Sequence, residues 1–323
     1  MTLHIGEKDV QELLSIQLAL EAVEESFRRQ AAGEIKLQPR QRLEFGDRAY
    51  LHNMGAADRS GGYFGMKLYA TGRGAPQFLV TLYSAETAKL VALIEANALG
   101  QMRTGAATGI ATKYLALRDA STAAIIGTGF QARTQLEAIA AVRHLEIVWA
   151  YGRDAERRRN FCSEMSAKLG VPVAPANSAK GAVRDAQIVV TATGAVQPVL
   201  EGQWLSPGTH VNAVGSNWAQ KREIDSEAVA RAARIAVDSI EQCKIEAGDL
   251  IQAFAGDDAR WDGVVEMAEI AAGKRAGREN SQQITLFKST GLAAWDIAVA
   301  ARVYERAVAE GRGRSIALWD NAE

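Results

Sequence analysis

The stretch "TAAIIGTGFQARTQLEAIAA", residues 122–141, constrains this chain more than any other. A short apolar run ends at Ile126, the turn Gly127-Thr128-Gly129-Phe130-Gln131-Ala132 follows, and a helical pattern begins. Strand, glycine turn and helix N-terminus in that order make a cradle for a pyrophosphate. Gly127 permits the tight turn, and Gly129 lets backbone N–H groups approach the anion. The helix start adds the positive end of its dipole, and Ala132 is small enough for close helix–strand packing. A lone GxGxxA also closes ordinary turns. Here an apolar strand precedes it, a helix follows, and a further strand lies at 146–151, so the stretch predicts a dinucleotide-binding βαβ unit.

The rhythm continues downstream. "LEIVWAY", "QIVVTAT", "THVNAVG" and "RIAVDS" read as strands, with helical segments at about 131–142, 154–169 and 225–232. Apolar, β-branched strands alternating with helices predict a parallel sheet covered on both faces. A last strand, "QITLFKS", turns at Thr290-Gly291 into the helix "LAAWDIAVAARVYERAVAEG". Upstream the pattern differs. Leu20, Val23 and Phe27 mark an amphipathic helix over 16–32, and "QFLVTLYSAETAKLVALIEA" reads as two strands around Ser84–Thr87. "YFGMKLYA" alternates, with Phe64, Met66 and Leu68 on one face and Tyr63, Gly65, Lys67 and Tyr69 on a polar one. From Ala98 to Leu117 a helix rich in Gly, Ala and Thr predicts burial and a connection between two domains, which a chain of 323 residues accommodates.

The bulk properties exclude several classes. Thirty-seven basic against thirty-eight acidic residues leave no global field to recruit nucleic acid or an anionic membrane. No apolar run approaches the ~18 residues of a membrane span, and the N-terminus lacks a signal-peptide pattern. The two cysteines and four scattered histidines have no metal-ligand spacing, so no metal is expected, and the cytoplasm is the default compartment.

At the adenosine end of the predicted nucleotide site, the second strand runs into "AYGRDAERRR", with Gly152-Arg153 where NAD sites usually carry an acid. Arg153, with Arg157 near it, suits a 2′-phosphate and favours NADP. Asp154 suits the ribose and keeps NAD open. Three cations precede this domain: Arg40 after Pro39, Lys67 on its strand, and Arg103 in the small-residue helix. A guanidinium buried among glycines and alanines requires an anion. Glu95, another internal carboxylate or a substrate carboxylate would serve. Lys67, with aromatic neighbours, is a candidate for a depressed pKa and proton exchange near neutrality. Each cation alone also suits a structural ion pair; grouped with a dinucleotide turn, they point to a small carboxylated substrate.

At these residues the sequence resembles the ornithine cyclodeaminase/mu-crystallin family over nearly its whole length. The resemblance is carried by "GMKLYA", "MRTGAATGIATKYLA", "AAIIGTGFQA", "VVTATGAVQPVL", "WLSPGTHVNAVGSNWAQKREID", "VDSIEQCKIEAGDL" and "QQITLFKSTGLAAWD". It implies an α/β fold in which a Rossmann-type domain, 117–293, is inserted into an α+β substrate-binding and dimerisation domain formed by 1–116 and 294–323. It also implies a homodimer using NAD or NADP. Arg40 and Arg103 would hold a substrate carboxylate, Lys67 would act at the reacting nitrogen or carbonyl, and Gly291 would open the last helix beside the substrate. Gly127, Thr128, Gly129, Phe130, Gln131 and Ala132 would line the pyrophosphate, and Thr193, Val214 and Gly215 would face the nicotinamide. Arg42 is close enough to Arg40 to compete for its role.

One position departs from the family pattern. Its cyclodeaminases carry Asp where this chain has Asn217. An amide orients a water or an amine but cannot serve as a carboxylate base. The expectation is therefore a reductase of small α-imino acids or an amino acid dehydrogenase. A cyclodeaminase and a mu-crystallin-like NADPH- and ligand-binding protein are the alternatives.

Overall fold

The computed structural model describes residues 2–46 and 49–318, so the outermost expected domain limits, 1 and 323, lie outside the described residues. The chain begins with β1 (Thr2–Ile5), α1 (Glu7–Leu13), α2 (Ile16–Ala31), β2 (Ile35–Phe45), β3 (Ala49–Asp58), β4 (Tyr63–Thr71), β5 (Phe78–Ser84), β6 (Leu90–Glu95) and α3 (Asn97–Leu115). Then follow β7 (Thr122–Ile126), α4 (Phe130–Val142), β8 (Ile147–Tyr151), α5 (Ala155–Leu169), β9 (Val173–Pro175), α6 (Ala179–Val183), β10 (Ile188–Thr191) and β11 (His210–Ala213). It continues with α7 (Ser226–Arg231), β12 (Ala232–Val237), α8 (Ile240–Glu246), α9 (Gly248–Ala253), β13 (Val264–Glu266), α10 (Met267–Ala271), β14 (Ile284–Lys288), α11 (Ala293–Glu310) and β15 (Arg314–Ile316). Among the described residues no helix is long and apolar enough to cross a membrane.

The chain divides into two compact units, Met1–Arg103 with Leu292–Glu323, and Thr104–Gly291. The first division falls inside α3, thirteen residues before the end expected for the first domain. The reason is packing. A Cβ on Gly105 would lie 2.4 Å from the Thr134 carbonyl oxygen, so this part of α3 lies directly on α4. Asn212 donates to Thr112 at 3.1 Å, and Arg143 donates to the carbonyls of Thr112, Lys113 and Ala116. Small residues show that a helix is buried, but not which neighbour buries each turn.

In the first unit seven strands lie in the order β15-β1-β6-β5-β4-β3-β2, antiparallel except where β1 runs beside β6. Helix α11 packs across β3, β4 and β5, with α2 beside it. Gly65 makes that approach possible, since a Cβ there would meet the Ile297 side chain at 3.0 Å and the Thr81 carbonyl oxygen at 1.9 Å. Fully buried Trp295 and Phe27 join α11 to α2 edge to face, 5.2 Å between ring centroids, a pair contributing about 0.5–1.5 kcal/mol beyond its buried area. On β4 the two alternating faces differ in burial. The face bearing Gly65 and Lys67 is buried, while Phe64, Met66 and Leu68 are only half-buried. Alternation separates the two faces of a strand, but the helix above decides which is inside.

In the second unit eight parallel strands run β13-β12-β14-β11-β10-β7-β8-β9, a Rossmann-like order. Successive residues of β7 go to opposite sides: Ala124 and Ile126 join one apolar cluster, Ala123 and Ile125 the other. That is why β7 is apolar on both faces rather than alternating. The order turns back between β7 and β10, the switch point where open α/β sheets bind ligands beyond their strand ends.

Candidate active site

The first unit gathers three of the expected cations. Lys67 on β4 is 3% exposed, Arg103 on α3 6%, and Arg40 on β2 7%. Arg40 sits where the β2–β3 register slips between Gln38 and Gln41, an irregularity of the kind that re-aims a side chain. It is buried there, whereas Arg42 beyond the slip is half-buried. The anion for Arg103 is Asp296 on α11, fully buried. Its Oδ1 accepts from Lys67 Nζ at 2.9 Å and from Arg103 Nε at 3.0 Å. Glu95, one of the partners anticipated from sequence, instead faces His4 at 3.3 Å and accepts from the Glu7 amide. Asp296 was missed because its partners are 229 and 193 residues away in sequence. Its one local signal is an acid in the otherwise apolar run "LAAWDIAVAA".

The surroundings of Lys67 set its charge. Burial pushes its pKa down and Asp296 pushes it up, while Arg103 and Arg40 lower it again; the outcome is about 8. The rings of Phe78 and Tyr69 lie 5.0 and 6.0 Å from Nζ. Gly100 on α3 leaves room for the ammonium, since a Cβ there would be 2.9 Å from it. Nearby His52 stacks on Tyr69 at 4.3 Å, and burial with the charges of Arg42 and Arg40 lowers its pKa to about 4. His52 is therefore neutral at physiological pH, whereas Lys67 lies close to its midpoint there.

The second unit holds the glycine turn. Gly127 has φ +111°, and a Cβ there would come within 2.3 Å of the Ala192 carbonyl oxygen. Gly129 caps α4 with no side chain over the first-turn amides, and the space where its Cβ would stand is open. Thr128 packs against Gly152, Ala132 is fully buried, and Phe130 is 57% exposed. Gln131 Oε1 is buried with no hydrogen-bond partner among the described residues. This cradle of open amides beside bare backbone fits a pyrophosphate. At the end of β8, Arg153 is exposed, whereas the Asp154 carboxylate caps α5 by accepting from the Arg157 amide at 2.9 Å. That bond engages the Asp154 carboxylate in the cap of α5.

The positions expected to face the nicotinamide are held from behind by Glu223, fully buried and missed in the charged-looking stretch "QKREID". Its Oε1 accepts from the Thr193 amide and hydroxyl at 2.6 and 2.7 Å; its Oε2 accepts from Gly215 N at 2.7 Å and Thr191 Oγ1 at 3.0 Å. Val214 between them donates to Thr191 O. Asp249 accepts from the Glu223 amide and pairs with fully buried Lys288 at 2.7 Å. Lys288 in turn donates to the carbonyl of Ser216, next to half-buried Asn217. Burial raises the pKa of Glu223 against the lowering charge of Lys288. A second anchor, Asp238, accepts from the amides of Thr290 and Gly291 at 2.7 and 2.6 Å. Gly291 has φ +84°, a conformation that favours glycine.

The chain is similar to known proteins along most of its length. The model of the ornithine cyclodeaminase/mu-crystallin family matches residues 3–311. Delta(1)-pyrroline-2-carboxylate reductase of Bacillus cereus is 42% identical over 239 residues, 74% of this chain and 73% of that protein. Alanine dehydrogenase of Archaeoglobus fulgidus is 36% identical over 328 residues, covering 98% of this chain and 99% of the relative. The solved structure of Thermococcus litoralis Delta(1)-pyrroline-2-carboxylate reductase in complex with NADH and L-proline superposes with a TM-score of 0.93 at 34% identity, over 98% of this chain and 100% of that one. The chain belongs to the ornithine cyclodeaminase/mu-crystallin family.

Proposed function

We propose that the protein is an NAD(P)H-dependent reductase of a small α-imino acid, giving an L-amino acid and reversible as an amino acid dehydrogenase. The substrate is open-chain, such as iminosuccinate or iminopropionate, or cyclic, such as pyrroline-2-carboxylate. One observation carries the reading: Lys67 and Arg103, both buried, share a single oxygen of a single carboxylate. With Lys67 charged, that trio has an excess positive charge that a substrate carboxylate balances. Among the described residues only the Nε of Arg103 is hydrogen-bonded, leaving its terminal nitrogens to grip a carboxylate in two places, with Arg40 beside them.

The residues of the glycine turn, Gly127 to Ala132, would hold the pyrophosphate, Arg153 a 2′-phosphate, and Thr193, Val214 and Gly215 the nicotinamide end. When bound, the dinucleotide supplies the hydride for the C=N carbon. Arg40 and Arg103 fix the carboxylate and so the face presented, which is catalysis by orientation. Lys67 supplies the proton taken up by nitrogen or keeps the C=N bond polarised. Asn217 orients the amine without acting as a base, which favours a reductase over a cyclodeaminase. The relatives named pyrroline-2-carboxylate reductase and alanine dehydrogenase support this reading.

The test is oxidation of NADH and NADPH, separately, with pyruvate plus ammonium, glyoxylate plus methylamine, oxaloacetate plus ammonium, and pyrroline-2-carboxylate. Rapid oxidation with one member is expected; silence throughout, with intact nucleotide binding, rejects the reading. Reduction needs Lys67 to carry its proton, so its rate should fall as pH rises through about 8. Amino acid oxidation needs the neutral amine and should rise over the same interval.

A homodimer fits the first unit's surface. Leu43 and Leu51 are cross-strand partners on β2 and β3, 65% and 45% exposed, and Phe45 on β2 is 84% exposed. Exposed apolar clusters of this kind mark association surfaces. Light scattering should return twice the mass of the chain, and a monomer would reject the assignment.

A further inference from the structure

Asp296 has a role that its burial and its partners define. It lies in the first turn of α11, next to Trp295, and is fully buried. Its Oδ1 accepts from two cations, Lys67 Nζ at 2.9 Å and Arg103 Nε at 3.0 Å, while Oδ2 has no hydrogen-bond partner among the described residues. The Arg103 guanidinium also stands over the Trp295 ring, 5.8 Å from its centroid, so adjacent residues of α11 hold that side chain in two ways. A fully buried carboxylate with one oxygen idle is costly to keep. Glu223, which holds the strand-end segments of the second unit, has both oxygens hydrogen-bonded.

We propose that Asp296 is a positioning residue, which through one carboxylate oxygen orients Lys67 and Arg103 together and keeps the proton on Lys67. This rests on the reductase reading for its consequence in catalysis, and on the geometry alone for its effect on Lys67. The groups acting on Lys67 come from each element around it. Asp296 on α11 favours the charged amine, whereas Arg103 on α3 and Arg40 on β2 oppose it. His52 on β3 is neutral above about pH 4, and β4 and β5 contribute the rings of Tyr69 and Phe78. With the Asp296 charge removed, burial and both arginines push in one direction. Lys67 would then be half neutral or more at pH 7 and would point with less constraint.

The experiment is a titration of the Lys67 side chain by NMR in protein labelled at the lysine ε-carbon, its signal assigned through K67R. No substrate is needed, so the result is independent of whether the imine panel gives turnover. In the wild type the midpoint is expected at about 8. In Asp296→Asn it should move down by about 1–3 pH units, the effect of losing an opposite charge in contact. Asp296→Glu keeps the charge at a changed reach, so its midpoint should stay near the wild type while kcat falls. With an active panel member, the alkaline limb of reductive kcat should follow the NMR midpoint in D296N, with nucleotide affinity unchanged. An unmoved midpoint in D296N, or an equal fall in D296N and D296E, overturns the proposal. A shifted midpoint in a protein silent on the whole panel would uphold the control of Lys67 and reject the reductase.

Discussion

Lys67→Ala should lower reductive turnover by about 10²- to 10⁴-fold, the range a positioned proton donor supplies, with the affinity for NADH or NADPH unchanged. The two quantities separate because the glycine turn belongs to the second unit and Lys67 to the first. Truncation removes the ammonium and leaves Asp296 paired with Arg103 alone, so the local charge approaches neutrality and the pull on a substrate carboxylate weakens too. KM should therefore rise along with the fall in kcat. Lys67→Arg tells the two effects apart. It restores a cation, but a guanidinium does not release its proton at accessible pH. Affinity for a carboxylate ligand should return while turnover stays low. Steady-state kinetics, with nucleotide binding followed by fluorescence, measures all of these. Turnover of K67A within tenfold of wild type would remove Lys67 from the mechanism.

The second large effect is on stability. Glu223→Ala should destabilise the protein by about 3–5 kcal/mol, the cost of breaking a buried charged network from one side. Four donors, from Thr191, Thr193 twice and Gly215, lose their acceptor at once. Each orphaned donor costs about 1–3 kcal/mol when it stays dry. The full sum is not reached, because the segments after β10 and β11 relax and let water in. Lys288 meanwhile loses one of its two nearby negative charges. Its pKa is raised because Asp249 and Glu223 together outweigh the lowering by burial, so the variant burdens Asp249 with the whole of that compensation. Denaturant unfolding should show a lower midpoint. A loss below about 1 kcal/mol, ordinary for a surface change, would mean that Glu223 does not hold these segments.

Much of this molecule was legible in the chain because the governing interactions are local. The glycine turn, the strand before it and the helix after it lie within twenty residues, and the structure has β7, the bare Gly127–Gly129 turn and α4 in those places. The parallel sheet announced itself through strands such as β7 and β10, apolar on both faces because both faces are covered. Arg40, Lys67 and Arg103 could be picked out as cations in unsuitable surroundings, and all three are buried. The family was legible in seven segments spread over the chain.

What stayed hidden depends on contacts between distant segments. Asp296 looks like one acid in an apolar helix, and only the seating of α11 on β4 makes it the partner of Lys67 and Arg103. Glu223 reads as surface charge until the strand-end loops wrap it. The alternation in β4 separated two faces without saying which is covered, because the covering helix lies more than two hundred residues downstream. The division of α3 was invisible for the same reason. By itself, then, the sequence determined the glycine turn, the alternation of strands and helices around it and the candidate cations, since periodicity, turn stereochemistry and residue type act over a few neighbours. The tertiary structure alone decided which carboxylate meets which cation, and so where Lys67 holds its proton, because burial and ion pairing are set by what lies nearest in space.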